Sequence, residues 1–320
     1  MYSRRVQLTG RSTYIISLPK AWVEDRQIAK GSVLSMRRYG DRLLVSLEES
    51  KGEKTKEVIN VGDLELEDIP FKLISSYTSG ADFIEVRGEK GMLPNVKSKV
   101  KEAMGKLVGL EIVEESYSHI LLQDLASREG LSIKKGLHRL YLMVRSSYKD
   151  IARVLLGGTD LARDVIERDD EIDKLTFLIT KRYNELLRSG TAKETRSGLG
   201  YLLAARALER IGDHGTRMCE NLLALEGERA GSMSLKFIES YIESFITKLD
   251  LAMDSIMRGS FEKGVEAIKM EIQVPVTSKD VRLAYIMESL NRAVSYASNI
   301  AEASIDFVVE HDLTPFHGED

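Results

Sequence analysis

Asp169 and Asp173 stand four residues apart, and so do Glu209 and Asp213. On a helix that spacing puts each pair on one face, one turn apart. The first pair lies on or beside an apolar seam of Val165, Ile172, Thr176 and Ile179. The second flanks a seam of Leu208, Ile211, Gly215, Met218, Leu222 and Leu225. If the two stretches pack antiparallel, four carboxylates can meet. Like charges about 5 Å apart repel by about 3 kcal/mol at an effective dielectric of about 20. Protonation, exposure to water or a bound cation relieves that repulsion. Ligands that are all oxygen favour hard cations such as magnesium, manganese or calcium, and iron and zinc are also compatible. The same residues also read as ordinary surface acids on a charged helix, and spacing alone leaves both readings open.

Other constellations are missing. No Glu-x-x-His occurs, which disfavours a di-iron oxidase site in a helical bundle. There is no Gly-x-x-x-x-Gly-Lys-Ser/Thr loop and no Gly-x-Ser-x-Gly elbow. His214 follows Asp213 and points about 100° away around a helix, so it reads as a packing or surface residue rather than a base. Cys219 reads as small core filler, and His119 as a strand residue. The sequence offers no convincing catalytic constellation, and the expectation is a protein that is not an enzyme.

The carboxylates need long helices to hold them, and residues 130–320 provide the pattern. Helical periodicity predicts stretches at about 132–156, 160–188, 192–225, 232–257, 260–273 and 278–310. Breaks fall at Gly157-Gly158, Ser189-Gly190, Gly227 to Gly231 and Val274-Pro275. Thr191-Ala192-Lys193-Glu194 has the layout of a capping box, and Thr277-Ser278-Lys279-Asp280 repeats it with Asp at the third helical position. The window from Leu208 to Glu220 aligns with that from Leu290 to Glu302 at an offset of 82, and the two caps align at an offset of 86. The difference is about one helical turn, which preserves the packing face. Two three-helix units are the expected bundle.

The rest of the chain is α+β. Residues 1–50 suggest short strands around a helical stretch at Trp22, with a hairpin of Val33–Arg38 and Arg42–Leu47 across Tyr39-Gly40-Asp41. That is too little to close a core alone, so a homodimer is expected. Residues 51–129 read as β-α-β-α-β-β: Lys56–Val61, Glu67–Tyr77, Asp82–Arg87, Pro94–Val108, Leu110–Glu115 and His119–Leu122, a small sheet with helices on one face. The net charge of −4 is uneven, since residues 1–47 carry nine basic and three acidic residues, or +6, while the remainder carries −10. A basic head on an acidic body suggests a polyanion partner, or simply a solvated basic face. No apolar run approaches a membrane span, the N-terminus lacks an apolar leader, and the single cysteine forms no intrachain disulfide. These point to the cytoplasm, without membrane insertion.

Two resemblances sharpen these expectations. Leu208-Glu209-Arg210-Ile211-Gly212-Asp213-His214, with Ala162 to Asp169 and Glu171-Ile172-Asp173 before it, resembles the PhoU phosphate-uptake regulators over about residues 132–312. The resemblance implies two three-helix repeats, each with an acidic pair able to hold a multinuclear cluster of divalent or trivalent metal. Iron, zinc, manganese and magnesium are the candidates. It also implies repression of phosphate-starvation responses, and partners in the phosphate ABC transporter and its signalling proteins. By position Asp169, Asp173, Glu209 and Asp213 carry over. In the second repeat the acidic pair becomes Asn291 and Ser295, which cannot compensate a polyvalent cation.

Arg5-Val6-Gln7-Leu8-Thr9-Gly10-Arg11, Ile15 to Lys20 and Ile28 to Ser32 resemble the AbrB/SpoVT swapped-hairpin DNA-binding fold. That implies strand exchange between two chains, and DNA contacts from Arg5, Arg11 and Lys20. Together the modules resemble archaeal PhoU-related regulators. The rival expectation is an accessory protein of the transporter that binds no DNA, with the head serving for dimerisation alone.

Overall fold

The computed structural model describes residues 3–39, 42–47, 54–88, 94–126, 131–158, 160–189, 192–225 and 232–312. The chain divides into two compact units, Met1–Glu53 and Lys54–Asp320.

The first unit holds two separate antiparallel hairpins. β1 (Gln7–Thr9) pairs with β2 (Thr13–Ile15), and β3 (Leu34–Tyr39) pairs with β4 (Arg42–Leu47). Between them lies the short helix α1 (Lys20–Asp25), which starts after Pro19. The turn at Gly40-Asp41 lies outside the described residues. No residue of this unit whose burial is described is buried. Its β-type residues face solvent instead, with Val6 62%, Tyr14 75% and Met36 65% exposed. The expected shortage of core is therefore present; both hairpins pair within the chain.

The second unit has two cores. The smaller one belongs to a four-stranded sheet of order β5-β6-β8-β7. β5 (Lys56–Asn60) runs parallel to β6 (Phe83–Arg87), while β8 (His119–Asp124) is antiparallel to β6 and to β7 (Leu110–Glu115). Alternation puts Ile59, Ile84, Val86, Ile120 and Leu122 on one face. There they meet Ile69, Leu73 and Tyr77 of α2 (Ile69–Thr78) and Val96 and Val100 of α3 (Pro94–Met104). Helices on one face are thus as expected. α3 ends earlier than the expected Val108, because Lys106 and Leu107 turn back on Ala103 and Met104 and bury Leu107 in this core.

The larger core lies among six helices: α4 (Ile133–Leu155), α5 (Asp160–Ser189), α6 (Ala192–Ala224), α7 (Ser232–Arg258), α8 (Phe261–Lys269) and α9 (Val281–Asp312). α4, α5 and α6 pack on one another, α7, α8 and α9 do the same, and α6–α9 and α4–α7 join the two triplets. The offset of 82 is visible in burial. Leu208, Ile211, Gly215, Met218 and Cys219 are buried on α6, and Leu290, Ala293, Ala297, Ile300 and Ala301 on α9. Across α4–α7, Asp250 accepts from the Tyr141 hydroxyl at 2.6 Å and twice from the Arg145 guanidinium at 2.8 Å.

Two helix ends differ from expectation. Asp280 is itself the residue before α9, and its Oδ1 accepts from the amides of Arg282 at 2.8 Å and Leu283 at 3.2 Å. It is an N-cap and not the third helical residue, because a carboxylate reaches the second and third free amides from outside the helix. Thr191, in the other predicted box, lies outside the described residues. α8 stops at Lys269, short of the expected Gln273. Buried Lys248 donates to the carbonyls of Ala267 and Met270, and Asn291 closes two hydrogen bonds on the backbone of Val274, so the chain beyond Met270 is irregular and held against α9 at Val274.

Among the described residues, no helix is long and apolar enough to cross a membrane.

Candidate functional site

α5 carries Asp169 and Asp173 and α6 carries Glu209 and Asp213, all half-buried on facing sides of the two helices. The apolar seams that put them there behave as the spacing predicts. Val165, Ile172, Thr176 and Ile179 are buried on α5, and Leu208, Ile211 and Met218 on α6. Gly212 sets how close the helices come at this level. A Cβ added there would stand 3.0 Å from Ile172 Cδ1 and 3.9 Å from Asp169 Oδ1. Tyr148 of α4 fixes α6 from behind, its buried hydroxyl donating to the Ile211 carbonyl at 3.0 Å.

Burial raises the pKa of all four carboxyls, and repulsion from neighbouring carboxylates adds to it at Asp169, Asp173 and Glu209. Desolvation is the largest cause at each. Asp213 then raises Asp169 and Glu209, and Asp169 raises Asp173, so the two pairs sense each other across the helix interface. A taxed anion cluster of this kind favours any cation that enters it.

Three side chains answer the charge. The Thr216 hydroxyl, on the Glu209 face two turns on, donates to Asp169 Oδ1 at 3.2 Å. Arg210 lies 3.5 Å from Glu209 and 3.4 Å from Asp213. Lys106, from the corner between α3 and β7, lies 3.6 Å from Asp170 and 3.8 Å from Asp173. Thr216 was legible in principle, since seven residues from Glu209 is the same helix face. Lys106 gave no local signal, because only the docking of the sheet layer brings it to α5.

The donor set suits a hard cation, being four carboxylates and a hydroxyl. The side chains are not drawn together around one point, and among the described residues no three histidines, cysteines or acids stand in a group that could hold an ion. Lys106 and Arg210 are cations that face these carboxylates.

The second repeat is built differently. Asn291 spends its amide on Val274, accepting from N at 2.8 Å and donating to O at 2.9 Å, while the Ser295 hydroxyl donates to the Asn291 carbonyl. These positions are structural fasteners in this fold. His214 is half-buried 5.9 Å from the Tyr296 ring, and burial pushes its pKa down to about 4. Cys219 is buried and its thiol is pushed up to about 12, in keeping with core filler.

In the first unit, Arg5 precedes β1, Arg11 sits in the β1–β2 turn and Lys20 opens α1, all exposed. Lys20 lies 3.6 Å from Glu24. The structure assigns each a place but shows no shared surface for them.

The family model that matches falls on the helical triplet that holds the carboxylates. Residues 137–222, from α4 to the end of α6, match the family model described as PhoU domain. A protein of Thermotoga maritima, the phosphate-specific transport system accessory protein PhoU homolog 1, is 28% identical over 207 residues, 56% of this chain and 86% of the relative. The crystal structure of PhoU from Pseudomonas aeruginosa aligns with 56% of this chain and 96% of its own at 21% identity, with a TM-score of 0.47.

Proposed function

We propose that this chain is a non-enzymatic regulator of phosphate uptake, acting on or with a phosphate transport system. The observation that carries the reading is the match to the PhoU domain over residues 137–222, within which the four carboxylates line one helix interface. The name of the Thermotoga maritima relative supports the transport-accessory role. In this reading Asp169, Asp173, Glu209 and Asp213 would hold a divalent or trivalent cation such as iron, zinc, manganese or magnesium. Bound there, the cation would neutralise charge between α5 and α6. Metal analysis of the purified protein and of an Asp169→Asn plus Glu209→Gln variant tests it. Bound metal should be lost in the variant, and unchanged stoichiometry refutes the assignment.

The first unit favours a finer version, in which a dimeric head binds DNA and the chain regulates transcription. Its support is the +6 charge of residues 1–47 and the exposure of Arg5, Arg11 and Lys20. Each neutralised phosphate steepens the fall of log affinity with log salt by about 0.9, so a dimer presenting these residues twice should show a slope of about four to six on duplex DNA. Arg5→Ala with Arg11→Ala should flatten that slope. No duplex binding at low salt, or binding indifferent to the pair, leaves the accessory protein that binds no DNA.

A further inference from the structure

α2 buries Ile69, Leu73 and Tyr77 in the core of the sheet layer and carries a polar stripe beside them. Lys72 is followed at three, four and seven residues by Ser75, Ser76 and Ser79, the spacing of one helix face. Lys56 and Glu57 at the start of β5 and Arg188 at the end of α5 close round that stripe. Together they leave a cleft of about 210 Å³. Arg188 is fixed from one side. Its Nη2 donates to the carbonyls of Ser79 at 2.7 Å and Gly80 at 2.9 Å, which covers the negative end of the α2 dipole. Gly80, at φ +82°, makes room for it, since a Cβ there would collide with Nη2.

The donors that remain are unspent. Nε and Nη1 of Arg188, and the hydroxyls of Ser75 and Ser79, make no hydrogen bond with a described residue. The carboxylates around the cleft are engaged. Glu57 lies 3.0 Å from Lys72 and Glu85 2.6 Å from Lys56, while Asp82 accepts from Thr55 and Glu185 pairs with Arg182. Of the three cations at the cleft, Arg188 alone has no described carboxylate within ion-pair distance. We propose that this cleft binds a tetrahedral oxyanion, free phosphate or the phosphate of a small ester. Arg188 and Lys72 supply the charge, and Ser75 and Ser79 the hydroxyl donors. A guanidinium fork matches carboxylate and phosphate alike. The further donors on α2 exceed what the two oxygens of a carboxylate can use, and they suit a group with three or four. Ser75, Ser79 and Arg188 are exposed, so the cleft is open and an ester substituent can leave it. The bound anion would tie α2 to α5, beside the hydrogen bond from Asn184 to the Thr78 carbonyl, and so link the sheet layer more tightly to the bundle. The proposal does not depend on a cation between α5 and α6.

Calorimetric titration of the full-length protein, without added metal and at constant ionic strength, tests this. The probes are inorganic phosphate and glycerol 3-phosphate, with chloride as the blank. Ser75→Ala plus Ser79→Ala should weaken binding by about tenfold. Arg188→Gln should weaken it by at least as much. Because Arg188 also fastens α2, the serine pair is the deciding variant. Lys97→Met, which removes a cation paired with Glu115 elsewhere on the sheet layer, should bind as the parent does. So should Asp169→Asn plus Glu209→Gln. Phosphate bound as tightly as its ester identifies the free anion as the ligand, and a preference for glycerol 3-phosphate identifies an ester. Neither probe bound at millimolar concentration overturns the proposal. Binding indifferent to the serine pair, or abolished by Asp169→Asn plus Glu209→Gln, also overturns it by placing the anion elsewhere.

Discussion

Glu85 shows how much a single side chain depends on its surroundings. It sits on the sheet face away from the helices, 7% exposed, with Arg87 donating to both its oxygens at 2.8 and 2.9 Å and Lys56 at 2.6 Å. Arg87 and then Lys56 hold its carboxyl down from 4.5 to about 2. A depressed carboxyl stabilises the fold in full above its unfolded value, and that contribution is lost as pH falls from 4.5 towards 2. Urea unfolding of the parent and of Glu85→Gln across that window should show a steeper loss of stability on acidification in the parent. Parallel curves would show the pairing to be energetically idle. Gly212 is a second such residue. Gly212→Ala must push Ile172 aside between α5 and α6, and should cost about 1–3 kcal/mol in the same measurement.

Among the elements, α8 and the irregular chain after it explain why the second repeat lacks a carboxylate site. Lys248 closes the end of α8, and Asn291 pins Val274 through a donor and an acceptor together. An aspartate at 291 would restore the family-like acid but lose the donor and set its charge against the Val274 carbonyl. Asn291→Asp should therefore destabilise the chain by about 1–3 kcal/mol and gain no metal. Denaturant midpoints and metal analysis on one preparation check both halves. Helix existence and seams were legible here because a period of 3.6 repeats over many turns, as in Leu208 to Leu225. The end of α8 was not, because it is decided by Lys248 and Asn291, each about twenty residues away in sequence.

The whole molecule turns on a first unit without a core. Val6, Leu8, Tyr14, Val33, Met36 and Leu43 are all more than half exposed, an apolar surface that a stable soluble unit covers. The second unit holds two cores of its own. A chain beginning at Lys54 should therefore keep its melting transition and lose self-association in light scattering, and the full-length chain should be a dimer at micromolar concentration. A full-length monomer would contradict this.

What the sequence determined by itself is whatever local repetition encodes. The six helices, the two acidic pairs one turn apart, the offset of 82 and the β-α-β-α-β-β order can all be read because each depends on residues within a few turns or strands. That both acidic pairs line one helix interface also follows from the expected antiparallel packing of neighbouring helices. The tertiary structure alone decided which cations face those carboxylates. Arg210 is local, but Lys106 lies 63 residues before Asp169, in another layer with another core. It also decided that Asn291 is a fastener and that Asp280 caps α9 from outside. Contacts of that kind arise from docking between elements, and no periodicity along the chain records them.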